Sequence, residues 1–186
     1  MTKKLHRSRT SIRSAGASLL AGFAACVLAL GLTTPTYAGQ EQYLSDEQLS
    51  GLVADQATGV AFNVFRSGGN FMTLSVMRTA PAKPELHDSL ADFFIVRQGT
   101  ASVRVGGELI GAKSSSPGEW SGGEIKGGKL QKLAPGDVLW IPAGMPHQVL
   151  PDPGQSFRYL VVKVLRPGAA PLAATEGPTN ISGSRY

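Results

Sequence analysis

The sequence predicts an all-β domain built from antiparallel strands, arranged as a sandwich or a barrel. From residue 60 onward, short stretches rich in β-branched and aromatic residues are separated by Gly, Pro and Ser, which is typical of strands joined by turns. No stretch after residue 59 has a long helical repeat of apolar residues. Many short strands without intervening helices favour a sandwich or a barrel. The predicted strands are Val60–Arg66, Phe71–Arg78, Leu90–Arg97, Ala101–Val105, Val138–Ile141, Gln148–Leu150 and Phe157–Leu165.

Residues 1–38 are interpreted as a secretory signal peptide. An apolar stretch, Leu19–Leu32, is followed by Thr36-Tyr37-Ala38, whose small residues suit a signal peptidase, so we expect cleavage near Ala38. The apolar stretch has 14 residues, short of the roughly 20 that span a bilayer, which favours removal over a retained membrane anchor. Lipoprotein processing at Cys26 is a second alternative. The basic residues that precede the apolar stretch are Lys3, Lys4, Arg7, Arg9 and Arg13.

The net charge depends on whether that segment is removed. The full chain has 18 Lys and Arg against 13 Asp and Glu, a formal charge of +5. All five basic residues named above precede residue 39, so 18 minus 5 leaves 13 basic against 13 acidic residues in the mature chain. A chain without net charge has no overall field to attract nucleic acid or an anionic membrane, so neither is an expected partner after cleavage. The only cysteine lies in the signal, so the exported domain has no disulfide.

Three segments lie outside the predicted strands. Residues 39–59 are predicted to be an N-terminal helical arm, because Ser45 and Gln48 fit a capping box and an apolar stripe follows them. The Gly/Ser-rich segment Gly106–Lys129 is too long for a hairpin turn, so it is either a disordered excursion or a lid over the barrel mouth. Residues 167–186 are rich in Pro, Gly and Ala and are predicted to be a flexible tail.

Two histidines and two carboxylates are candidate ligands of a divalent metal ion. Glu85 and His87 are two residues apart, so on a strand both side chains point to the same face. Asp92 comes at the head of the next apolar run, and His147 follows a Pro-Ala-Gly-Met-Pro turn. Imidazoles and carboxylates that converge from neighbouring strands have the composition of a divalent metal site.

The spacing of these residues resembles the two sequence motifs of the cupin superfamily. In outline the first motif is a Gly, His-x-His, three or four residues, Glu, six residues and Gly. Here it becomes Glu85-x-His87, four residues, Asp92, six residues and Gly99. Glu85 replaces a His, Asp92 replaces a Glu, and Arg78 stands near the position of the leading Gly.

The second motif departs only at its last position. In outline it is Gly, five residues, Pro-x-Gly, two residues, His, three residues and Asn. The chain has Gly136, Pro142-x-Gly144 and His147 at the same spacings, with Pro151 in place of the Asn. The prolines and the glycine of the turn are expected to re-aim the chain so that the histidine enters the barrel.

The resemblance covers residues 60–166 with the flanking strands and implies a cupin jelly-roll barrel around one divalent metal ion. The mature chain has only two histidines, and both fall on motif positions. Glu85 is alternatively a solvated strand end, and Asp92 alternatively holds a metal-bound water or a histidine rather than the ion. The metal ligands implied are Glu85, His87, Asp92 and His147.

This ligand set suits Fe(II), Mn(II), Zn(II) or Ni(II), and affinity alone does not choose between them. Two carboxylates leave a divalent ion formally neutral, which favours Lewis-acid chemistry over binding of a further anion. Dioxygen chemistry is the other option, because two histidines and one carboxylate are a known iron-oxygenase set. We therefore expect a periplasmic or secreted metal-dependent enzyme acting on a small polar metabolite. A non-catalytic ligand-binding or sensing cupin, and a structural barrel without metal, are the alternatives.

Strand parity predicts what surrounds the metal. If Asp92 faces inward, so do the apolar residues two and four positions further along the strand. Arg78 and Arg97 either clamp a substrate carboxylate or are solvated strand ends. A homodimer is the expected assembly, because cupins often pair through sheet edges. The expected apolar liners are Phe94, Val96, Trp140 and Tyr159.

Overall fold

The computed structural model describes residues 42–54 and 59–180, with side chains up to residue 174. The predicted signal peptide, with its alternatives, lies outside the described residues. One helix, α1, covers Asp46–Ala54. Among the described residues no helix is long and apolar enough to cross a membrane. The strands are β1 Val60–Gly69, β2 Phe71–Arg78, β3 Glu85–His87, β4 Leu90–Gln98, β5 Ala101–Val105, β6 Glu108–Ile110, β7 Lys113–Ser116, β8 Glu119–Ser121, β9 Glu124–Lys126, β10 Lys129–Leu133, β11 Val138–Ile141, β12 His147–Pro151, β13 Phe157–Leu165 and β14 Leu172–Asn180.

The strands form two six-stranded antiparallel sheets and a small ribbon. One sheet has the order β11-β4-β13-β2-β1-β14 and the other has the order β10-β5-β12-β3-β8-β7, while β6 and β9 pair separately. Alternate residues of both sheets point to one shared core, where Phe94 and Phe157 of the first sheet join Val103 and Val149 of the second. This is the jelly-roll arrangement that the sequence predicts, and the all-β fold class is confirmed.

The seven strands predicted from alternation are all present. Four of them have the predicted bounds, for example Phe71–Arg78, and β1, β4 and β12 extend one to three residues further at their ends. The pairing of β13 with both β2 and β4 sets the centre of the first sheet, with Tyr159 opposite Val76 and Val96. Burial at every second residue of β13 places its side chains in the core.

Helix α1 packs on the outer face of the first sheet. The predicted capping box is present, because Ser45 N–H donates to Gln48 Oε1 at 2.8 Å and Gln48 N–H donates to Ser45 Oγ at 3.2 Å. Leu49 and Val53 are buried beneath the helix. Asp46 fixes the first turn to the sheet through ion pairs with Arg97 and Arg158, which we call the helix clamp.

The segment between the motifs is ordered into short strands. Strand β8 pairs with β3, with Glu119 opposite His87, and β7 pairs with β8 at the edge of the second sheet. The disordered alternative for Gly106–Lys129 is therefore wrong, and the segment covers one edge of the barrel as hairpins. Gly123 allows one of these turns, since a Cβ there would lie 2.0 Å from the carbonyl oxygen of Ile110.

The flexible tail predicted for residues 167–186 is wrong for residues 172–180. These residues form β14, which pairs antiparallel with β1 at the edge of the first sheet. Pairing satisfies the backbone groups of β1 that would otherwise be free, and this gain does not depend on an apolar pattern in the added strand. Pro178 is compatible with this assignment because a proline is tolerated on an edge strand.

Candidate metal centre

The predicted ligands come from both sheets. Glu85 and His87 lie on β3, and the pairing of β3 with β12 puts His147 directly opposite Glu85. Asp92 lies on β4 in the facing sheet, where its side chain is buried. The turn before β12 is tied to β3, because Gly144 N–H donates to the carbonyl of His87 at 2.7 Å.

The four side chains converge on one region inside the barrel. The Nε2 atoms of His87 and His147 lie 4.0 and 3.8 Å from Glu85 Oε2. Each Nε2 also lies 3.6 Å from Asp92 Oδ2. One ligand atom from each of Glu85, His87 and His147 lies within 4.8 Å of the others. The parity argument therefore correctly brings all four residues together.

His147 presents a free lone pair to this region. Its Nδ1 lies 3.2 Å from the carbonyl oxygen of Met145, so Nδ1–H donates there and Nε2 is left without a proton. Nε2 is buried and has no hydrogen-bond partner in the described part of the chain. Burial lowers the pKa of His147, which keeps the ring neutral. A neutral imidazole fixed by a backbone carbonyl is the form that binds metal ions.

Lys163 is a fifth member of the cluster that the sequence analysis did not include. Its Nζ donates to both oxygens of Asp92 at 2.7 and 2.9 Å and lies 2.8 Å from His87 Nε2. Lys163 sits at an inward position of β13, where its neighbours at the same parity are apolar. A charged residue at an inward position of an otherwise apolar strand is the signal that could have identified it.

Only one proton fits between Lys163 Nζ and His87 Nε2. Burial lowers the pKa of Lys163, but the charge of Asp92 and the hydrogen bond to it raise the pKa above its ordinary value. Burial and the charge of Lys163 lower the pKa of His87, whereas the neighbouring carboxylates of Asp92 and Glu119 raise it above its ordinary value. Both groups cannot be protonated, because two donors would then face each other across 2.8 Å. The two bonds to Asp92 favour Lys163 as the proton holder, so His87 Nε2 accepts.

Glu119 orients the other side of the His87 ring. A carboxylate oxygen of Glu119 contacts His87 Nδ1, and the residue stands on β8, directly opposite His87 on β3. The hydrogen bond places the ring proton on Nδ1 and turns Nε2 toward the cluster. No sequence pattern indicated Glu119, since its segment lacks strand alternation and the contact spans 32 positions.

Asp92 is bound mainly to Lys163 in this arrangement. Burial raises the pKa of Asp92, but the charge of Lys163 outweighs it and brings the pKa well below the ordinary value. The carboxylate is therefore ionised and saturated on both oxygens by one ammonium. Its geometry agrees with the alternative that Asp92 supports the site, while its place as a direct ligand stays a prediction.

A small cavity adjoins the cluster, and Arg78 lines it beside Lys163. Arg78 donates from Nε to Tyr159 Oη at 3.0 Å and approaches Glu85 Oε1 at 3.5 Å. The carboxylates of Glu85 and Asp92 also line the cavity, the remaining wall is mainly apolar, and the volume is about 50 Å³. Phe94 and Tyr159 line it as predicted.

Two of the other residues considered at the site lie elsewhere. Trp140 is 52% exposed and contacts Phe93 on the outer face of the first sheet, so its assignment to the cavity wall is wrong. Arg97 belongs to the helix clamp on that same outer face. Parity explains both cases, because these residues are at outward positions of their strands. Val96 is buried in the core, but it does not line this cavity, so its assignment as a liner is wrong.

The residues present fit a divalent metal ion. Glu85, His87 and His147 offer three donor atoms in reach of one point, and the buried Nε2 of His147 has no other use in the described residues. Nitrogen and carboxylate donors of this kind suit first-row divalent metals. An ion held by these residues would take the place of the hydrogen bond from Lys163 at His87 Nε2, and Lys163 would still have Asp92 as its partner.

A barrel of two six-stranded sheets with histidines and a carboxylate converging between them has the architecture of the cupin fold. The family model described as the AraC-like ligand binding domain matches residues 124–176, under a third of the chain. A comparison with curated proteins finds no match. The chain therefore has the cupin fold, and the resemblance predicted from its two motifs is confirmed.

A solved structure with a TM-score above 0.5 agrees with this fold, and two others have lower scores. An uncharacterised protein with a double-stranded β-helix domain from Klebsiella pneumoniae matches with a TM-score of 0.51 at 13% identity, covering 76% of this chain and 98% of that one. KdgF from Halomonas sp. has a TM-score of 0.43 at 18% identity, covering 60% of this chain and 85% of that one. The Cnp3 cupin domain of Schizosaccharomyces pombe has a TM-score of 0.44 at 13% identity, with coverages of 57% and 65%. At these identities the likeness concerns the fold alone.

Proposed function

We propose that the chain is an exported cupin that binds one divalent metal ion through Glu85, His87 and His147 and acts on a small polar metabolite. The observation that carries the proposal is the buried, unpartnered Nε2 of His147 facing the carboxylate and the second imidazole. A buried polar atom without a partner costs free energy, so its persistence in a well-packed barrel favours an occupant that accepts its lone pair.

The metal, of the Fe, Mn, Zn or Ni group, supplies Lewis acidity or dioxygen chemistry when bound. The chain's own residues orient the metal ligands, hold a proton and restrict the entry of water. Glu119 fixes the ring of His87, and the carbonyl of Met145 fixes that of His147. Lys163 and Asp92 hold a proton next to the cluster, close enough for transfer to a bound metabolite. The apolar wall, including Phe94, limits the water that enters.

A second candidate is a ligand-binding or sensing cupin without turnover. The match to the AraC-like ligand binding domain over residues 124–176 favours it, since this part of the chain contains His147 and Lys163. Both candidates need the same cavity and the same metal. They differ in whether a bound metabolite is converted, which is a question for product analysis rather than for affinity.

The decisive experiment is metal analysis of the mature protein purified from its native compartment. We expect about one divalent ion per chain, loss of that ion in His147→Ala, and weaker retention in Glu85→Gln. Glu124→Gln is the matched control, since Glu124 is an exposed carboxylate on β9. Retention of the ion by His147→Ala would contradict the site. Product formation and dioxygen uptake across a panel of small metabolites then separate enzyme from sensor.

Export is the remaining part of the proposal. The positive, apolar and small-residue regions of residues 1–38 support it. The intact mass of the protein recovered from the periplasm or medium tests it. A chain that begins at Gly39 is the expected result. A lipid-modified chain that begins at Cys26, or a full-length chain in the membrane, would overturn the cleavage site.

A further inference from the structure

We propose that the cavity beside the metal centre takes a monocarboxylate with a short apolar chain, and that the carboxylate and the metal ion bind cooperatively. This inference rests on the proposed function, because it takes a divalent ion at Glu85, His87 and His147 as given. It adds the charge and the size class of the ligand.

The first step is the placement of two cationic side chains. Arg78 and Lys163 both line the cavity, and their side chains are each only 11% exposed. Arg78 reaches Glu85 with one guanidinium nitrogen at 3.5 Å and Tyr159 with another at 3.0 Å. The contact with Glu85 is long, so the planar guanidinium is available for a better acceptor.

The second step is the formal charge of the whole cluster. Arg78 and Lys163 bring two positive charges, and the carboxylates of Glu85, Asp92 and Glu119 bring three negative ones. With a divalent ion bound, the cluster has one positive charge in excess. Removal of the ion takes two positive charges away. A buried excess charge is unfavourable, so the metal-loaded site favours one monoanion and the metal-free site disfavours it.

The third step is the shape and polarity of the cavity. Beyond the two cations and the carboxylates of Glu85 and Asp92, its wall is formed mainly by apolar side chains, among them Phe62, Leu74 and Val76. The volume of about 50 Å³ holds about four water-sized groups. A carboxylate carried on one or two carbon atoms matches this space with its charged end at the cations. A second carboxylate on the same molecule would lie against the apolar wall and leave the site negative again.

The test is a linkage measurement on the mature protein by calorimetry. Mn²⁺ is titrated into metal-free protein with and without saturating propionate, and propionate is titrated into the metal-free and the Mn²⁺-loaded protein. We expect propionate to tighten the binding of Mn²⁺ by about tenfold or more. Mn²⁺ should tighten the binding of propionate by the same factor, since linkage is reciprocal. Propionamide, which is neutral, and malonate, which is a dianion, are expected to change Mn²⁺ affinity by less than about twofold.

Variants separate the cavity from simple binding of a carboxylate to any metal ion. Arg78→Met is expected to lose most of the coupling with propionate, which is measured as the ratio of Mn²⁺ affinities with and without propionate in the same variant. Arg104→Met is the matched control, because Arg104 bonds the carbonyl of Gly127 away from the cavity. Should Arg78→Met fold poorly, the comparison of propionate with propionamide in the unaltered protein still decides the question.

The outcomes are distinct. Mn²⁺ binding without coupling, or equal coupling with propionamide, overturns the inference and leaves the proposed metal site standing. Coupling that survives unchanged in Arg78→Met also overturns it. A protein that binds no divalent metal overturns the proposed function and the inference together.

Discussion

Replacement of Lys163 by Met is expected to have opposite effects on the metal-free protein and on metal affinity. The substitution removes the ammonium that bonds both oxygens of Asp92 and lies 2.8 Å from His87 Nε2. Asp92 is 3% exposed and loses its main partner, so the metal-free barrel is destabilised. His87 Nε2 no longer accepts a hydrogen bond, so an ion binds there without first displacing one.

The structure sets the size of both effects. Removing one partner of a buried ion pair costs about 3–5 kcal/mol, which for a domain of this size lowers the Tm by roughly 10 °C or more. A hydrogen bond to a charged group contributes about 1.5–3 kcal/mol, so its absence tightens metal binding by roughly 10- to 150-fold. The freed carboxylate of Asp92 acts in the same direction, because it becomes available to the ion.

The assay is thermal unfolding of chelator-treated protein with and without Mn²⁺ or Zn²⁺, together with calorimetric titration of the same metals. We expect Lys163→Met to melt well below the unaltered protein without metal and to gain more from metal addition. Lys132→Met is the control, since Lys132 is 79% exposed and distant from the cluster. A folded Lys163→Met protein that binds metal no more tightly than the unaltered chain would refute the idea that Lys163 competes for His87.

Three further predictions concern other parts of the chain. Glu119→Gln is expected to weaken metal binding by about 10- to 100-fold, because it loosens the ring that it orients, whereas Glu124→Gln leaves binding unchanged in the same titration. Gly99→Ala is expected to destabilise the fold by several kcal/mol more than the roughly 1 kcal/mol of Gly144→Ala. Both glycines have positive φ, but only at Gly99 would the added Cβ lie 2.2 Å from a backbone oxygen, and denaturant unfolding compares them. The helix clamp lowers the pKa of Asp46, so its contribution is present above the unfolded pKa and is lost as pH falls through the lowered folded pKa. Stability measured from neutral pH into the acid range should therefore fall less steeply in Asp46→Asn, and equal slopes would contradict the clamp.

The strands of the two sheets were predictable where the residues on the two faces of a strand differ in polarity or where turn residues flank the strand. Phe157–Leu165 largely alternates between buried and less buried residues, and both it and Phe71–Arg78 lie between segments with Gly or Pro, so the local sequence fixes their bounds. Strands such as β7, with the sequence Lys113–Ser116 and four exposed residues, have no such contrast. Such strands form because the backbone of a neighbouring strand pairs with them, and the local sequence does not indicate which strand that is.

Some residues of the candidate site were predictable from the sequence and others were not, for the same reason. Glu85, His87, Asp92 and His147 were found because spacing and parity place them on inward faces near strand ends. Glu119 was not predicted, because its contact with His87 depends on the pairing of β8 with β3. Trp140 was placed in the cavity because an aromatic residue on a strand was weighed without its parity. Trp140 is at an outward-facing position of β11, so its side chain is half exposed to solvent.

The charge of the site shows what residue spacing leaves out. Two carboxylates beside a divalent ion make a neutral centre, and on that count a further anion is not expected. In the folded barrel each of those carboxylates has its own cation, Arg78 for Glu85 and Lys163 for Asp92. The acid that stands where the motif has a histidine is thus compensated by an arginine at the end of the preceding strand. The metal then meets a cluster whose negative charge is already largely balanced, and the sign of the ligand follows from the cations rather than from the metal ligands alone.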